Sequence, residues 1–434
     1  MANGLFTLTA ETAQHYLEII KLLNGQWLLQ GPLTSHQWLR LSATPYYFFF
    51  PIFYLFKFHP LTLAYVTIII ALILLPLNYF VIRKIFGRET AFASTLILFV
   101  SPTYSNLVKL PSFFNFVIPL TYWLVLVLWG IVKKKKADIW LVFLIVSLMS
   151  TLHAAALMLL IFFTGLFIFL KKFDLKQSVL SLLAFLVPQI PFFINDYFDK
   201  FSMTINLLLW IPYKLMNFLT GNTVGLDRRP VPDQTLKYVL DFFNLSQINN
   251  FGWLIGLIFL FALALYFFKK KVSLFENILF YWLIFGTLVL IIHKNPPSHY
   301  FVPFAIIPII LFARLVVHVN KKITLLVLSL LVIFSFFNLI KKQPFSPEFI
   351  SYQTEEKICQ AIIKNAAGKK FAFTRKGPFD NYEDQFKQNY EYILWWLGNR
   401  PVTKARLNYK IIENDREIIV MKNNRLLVNI PRSN

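Results

Sequence analysis

The chain has 434 residues, of which 57% are hydrophobic and 18% aromatic while only 15% are charged, proportions that exclude an ordinary soluble domain and imply a polytopic membrane protein. Lys+Arg outnumber Asp+Glu by 43 to 21, but the basic residues sit in short clusters between apolar runs, a topology signal that excludes a nucleic-acid partner. The single cysteine, Cys359, excludes an intrachain disulfide and a cysteine-based metal cluster.

Residues 1–45 hold no apolar run of about 18 residues and no signal-peptide pattern, so the chain is expected to start in a loop. Residues 11–23 show helical spacing, with Tyr16, Leu17, Ile20 and Leu23 on one stripe, which predicts a short helix lying on the membrane surface. Pro45 to Phe58 is apolar and aromatic but too short to cross about 30 Å of hydrocarbon, and reads as a second interfacial helix.

The predicted crossings follow as Leu61–Ile82, Phe92–Val108, Phe116–Val132, Ile139–Leu152, Ala154–Leu170, Val179–Ile194, Phe251–Phe268, Phe275–Ile292, Tyr300–Val317 and Ile323–Ile340. Ile139 to Leu170 is read as a hairpin turning near His153, because only then do Lys133–Lys136 and Lys171-Lys172 share a face. Arg83-Lys84, Lys269–Lys271 and Lys321-Lys322 fall on that same side, which the positive-inside rule makes cytoplasmic. Both the amino end and the tail from Lys341 are then outside. An even number of crossings with a loop-borne start predicts a further span ahead of this sequence.

The outer face gathers the polar groups: Glu11 and His15, Lys109 to Ser112 with Asn115, His153, Asn195-Asp196, the long loop 195–250, and His293 to Tyr300. Polar side chains able to converge on a cavity at one membrane face are the expected functional site. Within the long loop, Ile205–Leu219 is amphipathic and interrupted by Pro212. Arg314 sits near enough to the inner end of its span to snorkel.

From Phe345 the composition becomes that of a small soluble domain. Helices are predicted at 347–365 and 389–397, and strands at 370–374, 409–413, 417–421 and 425–430, the last two pairing across Asn423-Asn424. No catalytic constellation is visible in it. The chain also carries no glycine-rich phosphate loop and no zinc spacing, and its inner loops are too short for a nucleotide site, so a cytosolic nucleotide-sugar enzyme is disfavoured.

The order of an acidic residue on a surface helix, Asn24-Gly25, Gly31-Pro32-Leu33-Thr34-Ser35, Pro45-Tyr46-Tyr47, Arg83 to Gly87 and Ser101-Pro102, with His299 to Phe304 later, resembles the polyprenyl-phosphate-dependent glycosyltransferases of the GT-C fold. Within that fold it is nearest the protein O-mannosyltransferase and aminoarabinose transferase type, over roughly residues 5 to 318. The expected fold is GT-C-like: an all-α polytopic membrane protein with about ten transmembrane helices plus interfacial helices, followed by the small C-terminal α/β extracytoplasmic domain read from the composition after Phe345. The expected divisions are 1–60 as an outer catalytic loop, 61–340 as the membrane domain and 341–434 as the soluble domain.

It further implies an outer-loop carboxylate as general base, which falls on Glu11; the alternative is that Glu11 only serves the start of a helix near Thr9. His299, Tyr300 and Lys294 are candidate contacts to the donor phosphate, or else interfacial anchors. Arg228 and Arg229 are a candidate phosphate clamp, or a solvated pair in a loop. His15, Asn115 and His153 are candidates for lining the substrate cavity. The implied partners are a polyprenyl-phosphate sugar donor, membrane lipid and an acceptor glycan, lipid or protein; a divalent cation is a possible cofactor. Rival classes are a lipid-linked oligosaccharide polymerase or ligase, and a transporter or flippase, although the nearly charge-free spans disfavour the latter.

Overall fold

The computed structural model of the chain describes residues 6–34, 38–109, 111–134, 138–220, 235–243, 252–269, 272–294, 296, 298–318, 321–341, 350–377, 380, 384–414 and 417–431. In chain order these form α1 (Ala10–Leu23), the strands β1 (Gln30–Leu33) and β2 (Arg40–Ser42), and α2 (Thr44–Leu55). A helical stretch follows: α3 (Thr62–Phe86), α4 (Arg88–Val100), α5 (Pro102–Lys109), α6 (Val117–Lys134), α7 (Ile139–Leu152), α8 (Leu157–Phe169) and α9 (Leu175–Phe198). It continues as α10 (Ser202–Thr220), α11 (Thr235–Phe242), α12 (Gly252–Lys269), α13 (Leu274–His293), α14 (Ile306–Val317) and α15 (Lys321–Lys341). The end of the chain holds α16 (Tyr352–Ala366), β3 (Phe371–Lys376), α17 (Gln388–Trp396), β4 (Leu407–Glu413), β5 (Glu417–Lys422) and β6 (Arg425–Pro431). Contacts group the chain into two compact units: Met1–Leu28 with Tyr46–Val66 and Lys342–Asn434, and Leu29–Pro45 with Thr67–Lys341.

The second, larger unit is a bundle of apolar helices, and the chain is an integral membrane protein. Among the described residues four helical stretches are long and apolar enough to span a bilayer: Thr62–Phe86, Phe113–Lys133, Leu175–Phe198 and Leu274–His293. Shorter apolar helices accompany them at Ile139–Leu152, Ala154–Phe169, Leu254–Phe267, Ile306–Val317 and Thr324–Phe334.

Several boundaries differ from the sequence reading. The expected span Phe92–Val108 is two helices, because the chain leaves helical geometry at Ser101 before Pro102, which restricts the residue ahead of it. Helix α10 runs on through Pro212 instead of being interrupted there, so residues 202–220 of the expected loop are helical. Gly31-Pro32 lies in strand: β1 pairs antiparallel with β2, and a Cβ at Gly31 would run into the Ser42 carbonyl. The hairpin is pinned beside the helix prolines of α9, where the Pro188 carbonyl accepts from Ser42 Oγ at 2.8 Å and Thr44 Oγ1 at 2.6 Å.

Polar side chains join the apolar helices in pairs. Asn78 of α3, fully buried, donates to Thr95 Oγ1 of α4 at 2.8 Å and accepts from Tyr122 Oη of α6 at 2.9 Å. Gln189 of α9 donates to Ser150 Oγ of α7 at 2.9 Å. Arg314, in the last turn of α14, is also ion-paired: its Nε donates to Glu276 Oε1 at 2.7 Å, and Glu276 is held at the start of α13 by a capping box with Ser273.

In the first unit, α1 starts on Thr9, whose Oγ1 accepts the Thr12 amide, and ends at Asn24 before Gly25 in the left-handed region. The helix is packed on α17 and does not lie open on one face. Its buried stripe is Thr12, Ala13, His15, Tyr16, Ile19 and Ile20, whereas Leu17 is only partly buried and Leu23 is exposed. Selecting the largest apolar residues misplaced the stripe, which includes the small Thr12 and Ala13; Tyr16 on it meets Tyr392 of α17 edge to face at 4.9 Å.

The C-terminal elements follow the sequence reading closely. The sheet order is β3-β4-β5-β6, with β3 and β4 parallel and the remaining pairs antiparallel. Asn423 and Asn424 turn the last hairpin with φ of 44° and 66°, the paired left-handed geometry that asparagine tolerates best among side-chain-bearing residues. What the sequence reading missed is a buried ionic group. Arg375 bonds Glu413 through two nitrogens and Asp380 at 2.6 Å, and Tyr390 donates to Glu413 Oε1 at 2.8 Å. Asp380 is close to Arg375 in sequence, but Glu413 reaches it only through the pairing of β3 with β4, and Tyr390 only through the packing of α17.

Candidate functional site

Three interruptions of helical geometry meet in the larger unit. Short 3-10 segments run over Phe113–Phe116, Ala154–Ala156 and Ser298–Phe304, each next to the end of an apolar helix. His153 adopts an extended conformation between α7 and the second segment, and its Nδ1 accepts the Ala155 amide at 3.2 Å. That bond puts the proton of the neutral ring on Nε2, so His153 offers one N–H donor.

The third segment places His299 and Tyr300 against this ring. The His153 and His299 centroids are 5.3 Å apart, His153 and Tyr300 are 5.4 Å apart, and His299 and Tyr300 are 5.1 Å apart. Phe114 stacks on His299 at 5.6 Å with ring planes 27° apart, and His293, the last residue of α13, lies 4.8 Å from Tyr300. Gly286 of α13 makes room for the segment, since a Cβ there would enter the Phe304 ring.

Burial first, and the neighbouring His299 second, pushes the His153 imidazole down to a pKa of about 3, and burial lowers that of His299 as well. Both rings are therefore neutral hydrogen-bonding groups at physiological pH, not fixed cations. An anion arriving between them reverses that balance, because a nearby negative charge favours the imidazolium.

The other sequence candidates in this unit fall at different places. Lys294 follows α13 with φ of 58°, one residue beyond His293, whose Nδ1 is 3.2 Å from the Lys294 carbonyl. Asn115 stands in the first 3-10 segment next to Phe114, but it is buried and its amide donates to the Leu107 carbonyl at 3.4 Å, a structural bond. Arg228 and Arg229 lie outside the described residues.

Glu11 and His15 belong to the first unit. Glu11 occupies the first turn of α1, accessible and without a hydrogen-bond or ion-pair partner among the described residues; desolvation by the surrounding chain raises its carboxyl above the ordinary value. An accessible, partly desolvated carboxylate is the state a general base requires. The cap at this helix start is Thr9, so Glu11 is not needed for it.

His15 is buried one turn on, and its Nδ1 shares a hydrogen bond of 3.0 Å with Tyr46 Oη. Burial lowers its pKa to about 4. It is a packed, neutral group on the buried stripe and not a cavity wall. Tyr46 and Phe114 are not among the sequence candidates, and His293 figures there only as the first residue of the outer polar segment. Tyr46 stood within the Pro45-Tyr46-Tyr47 motif, but nothing local to Phe114 or His293 marks their part in the ring cluster. Among the described residues no group of three His, Cys, Asp or Glu side chains is placed to hold a metal ion.

No protein-family model and no curated protein matches the chain. Solved structures do. ArnT from Cupriavidus metallidurans in the apo state superposes with a TM-score of 0.58 at 10% identity, over 99% of this chain and 94% of that one. The same protein bound to undecaprenyl phosphate gives a TM-score of 0.56 at 10% identity, over 100% of this chain and 95% of that one. The likeness thus reaches past residue 318 to the C-terminal sheet, and the chain has the GT-C fold seen in ArnT.

Proposed function

We propose that the protein is a membrane glycosyltransferase that moves a sugar from a polyprenyl-phosphate donor to an acceptor hydroxyl on the extracytoplasmic face. The observation that carries this reading is the whole-chain likeness to ArnT, which has been solved with undecaprenyl phosphate bound. The ring cluster of His153, His299 and Tyr300 supports it chemically. A donor phosphodiester carries one negative charge and gains a second when its bond to the sugar breaks. Neutral imidazoles stabilise the gain more than the starting charge, which is the differential binding that accelerates a reaction.

In this reading Glu11 takes the proton of the acceptor hydroxyl. The hydroxyl oxygen attacks the anomeric carbon as the carbon–oxygen bond to phosphate breaks, and the sugar inverts in one displacement. Polyprenyl phosphate leaves, held by the His153 Nε2–H, by His299 and Tyr300, and by the charges of Lys294 and the Arg228-Arg229 pair. The basic clusters at Arg83-Lys84, Lys133–Lys136 and Lys171-Lys172 support a cytoplasmic position for the opposite face.

The deciding experiment is transfer of radiolabelled sugar from polyprenyl-phosphate donors by the purified protein in liposomes. Labelled acceptor is the expected product. Donor that crosses the bilayer with no sugar transferred would replace this reading with a flippase.

A further inference from the structure

The first unit contains a second feature, unrelated to the ring cluster. A groove of about 940 Å³ opens between the end of α2 and the C-terminal end of α17, walled by Tyr54, Phe58, Trp395 and Trp396, with Lys57 and Arg400 among its lining residues. Neither cation has a hydrogen-bond or ion-pair partner among the described residues, and no carboxylate lines the groove.

Its walls are fixed. Past α2 the chain reverses through Lys57 and Phe58, both in the left-handed region at φ of 51° and 53°, a conformation that costs free energy in residues with side chains. The Phe58 amide returns to the Phe53 carbonyl at 2.8 Å, and the Phe58 carbonyl accepts the buried Tyr392 hydroxyl at 2.7 Å. Phe58 then meets Trp395 edge to face at 6.1 Å, and His59 does the same to Trp396 at 4.9 Å. Two unpaired cations on a rigid aromatic groove match an amphiphile with an anionic head and an apolar body. The neighbouring helix surface is apolar too, Leu55 being 78% and Phe48 68% exposed, as for a segment in contact with lipid.

We propose that this groove binds one anionic phospholipid of the surrounding bilayer, its phosphate on Lys57 and Arg400 and its acyl chain along Tyr54, Phe58 and the tryptophan pair. The inference is independent of the transfer chemistry and of the ring cluster.

The test uses the full chain in phosphatidylcholine nanodiscs doped with a phosphatidylglycerol probe that carries a photoactivatable acyl chain, the labelled peptides being mapped by mass spectrometry. Label is expected on residues 54–58 and 395–400, above that from a phosphatidylcholine probe with the same tail. Lys57→Gln should lower it about fivefold and Lys57→Gln/Arg400→Gln by about that factor again, the worth of one basic residue near an anionic surface. Label elsewhere on the apolar helices should not change, and both side chains are exposed, so the single variant serves if the pair misfolds. Equal labelling by the two headgroups, or undiminished label in the variants, overturns the proposal. Displacement of the probe by added polyprenyl phosphate also overturns it and gives the groove to that lipid instead.

Discussion

The imidazole of His153 stands edge-on to that of His299, 5.3 Å between centroids and 72° between planes, although the two are 146 positions apart along the chain. His299 comes from a 3-10 segment and His153 from the extended residue just ahead of one, both at breaks in helical geometry where a side chain can be aimed independently of the helix face. Both rings are held neutral by burial, and under the proposed function they would respond to the charge of the donor phosphate.

His299→Ala is therefore expected to reduce sugar transfer by about a hundredfold or more through turnover, with a smaller effect on binding of the intact donor. Steady-state kinetics with a polyprenyl-phosphate donor, beside a melting curve that shows the variant folded, checks this. Unchanged turnover would remove the ring from the phosphate site.

Glu11→Gln should abolish transfer, by about two to four orders of magnitude, while leaving α1 intact because Thr9 caps the helix. In the native protein the raised pKa of Glu11, the proposed base, means that its carboxyl is protonated at pH values where an ordinary carboxylate is already ionised. The rate should accordingly rise with pH through a step lying above the usual carboxylate range. A profile flat across that range would show that Glu11 is not the base.

His15 makes the first unit acid-sensitive. Its folded pKa, about 4, lies below the value of about 6.5 for an unfolded imidazole, so between those values the unfolded chain binds more protons. The stability this group contributes is complete above pH 6.5 or so and is lost as the pH falls towards 4, amounting to about 3 kcal/mol. Melting temperatures measured from pH 7 down to 4 should decline, and His15→Phe should flatten the slope even if the lost bond to Tyr46 lowers stability throughout.

Glu413→Ala should be costly in the C-terminal sheet. It leaves Arg375 buried with Asp380 as its remaining carboxylate and deprives Tyr390 of its acceptor, a loss of about 3–5 kcal/mol. Denaturant unfolding of the full chain, followed by limited proteolysis of residues 350–431, reads it directly.

Sequence alone determined the class of protein and most of its helices. Runs of Leu, Ile and Phe with clustered lysines have few alternatives to crossing a bilayer, and period-2 strands beside Asn423-Asn424 have few alternatives to a hairpin, because backbone hydrogen bonding and burial are both settled locally. Even Glu11, His153, His299 and Tyr300 were legible as polar residues stranded at the ends of apolar segments. Tertiary structure alone decided which of them meet. His15 is sealed against Tyr46 and Asn115 is tied to the Leu107 carbonyl, while Phe114 joins the rings without any local mark and His293 is legible only as one polar residue of an outer segment. The stripe of α1, the Arg314–Glu276 pair and the Arg375 cluster were hidden for the same reason. A side chain's partner across the fold depends on how whole helices and strands pack, and no periodicity along one segment carries that information.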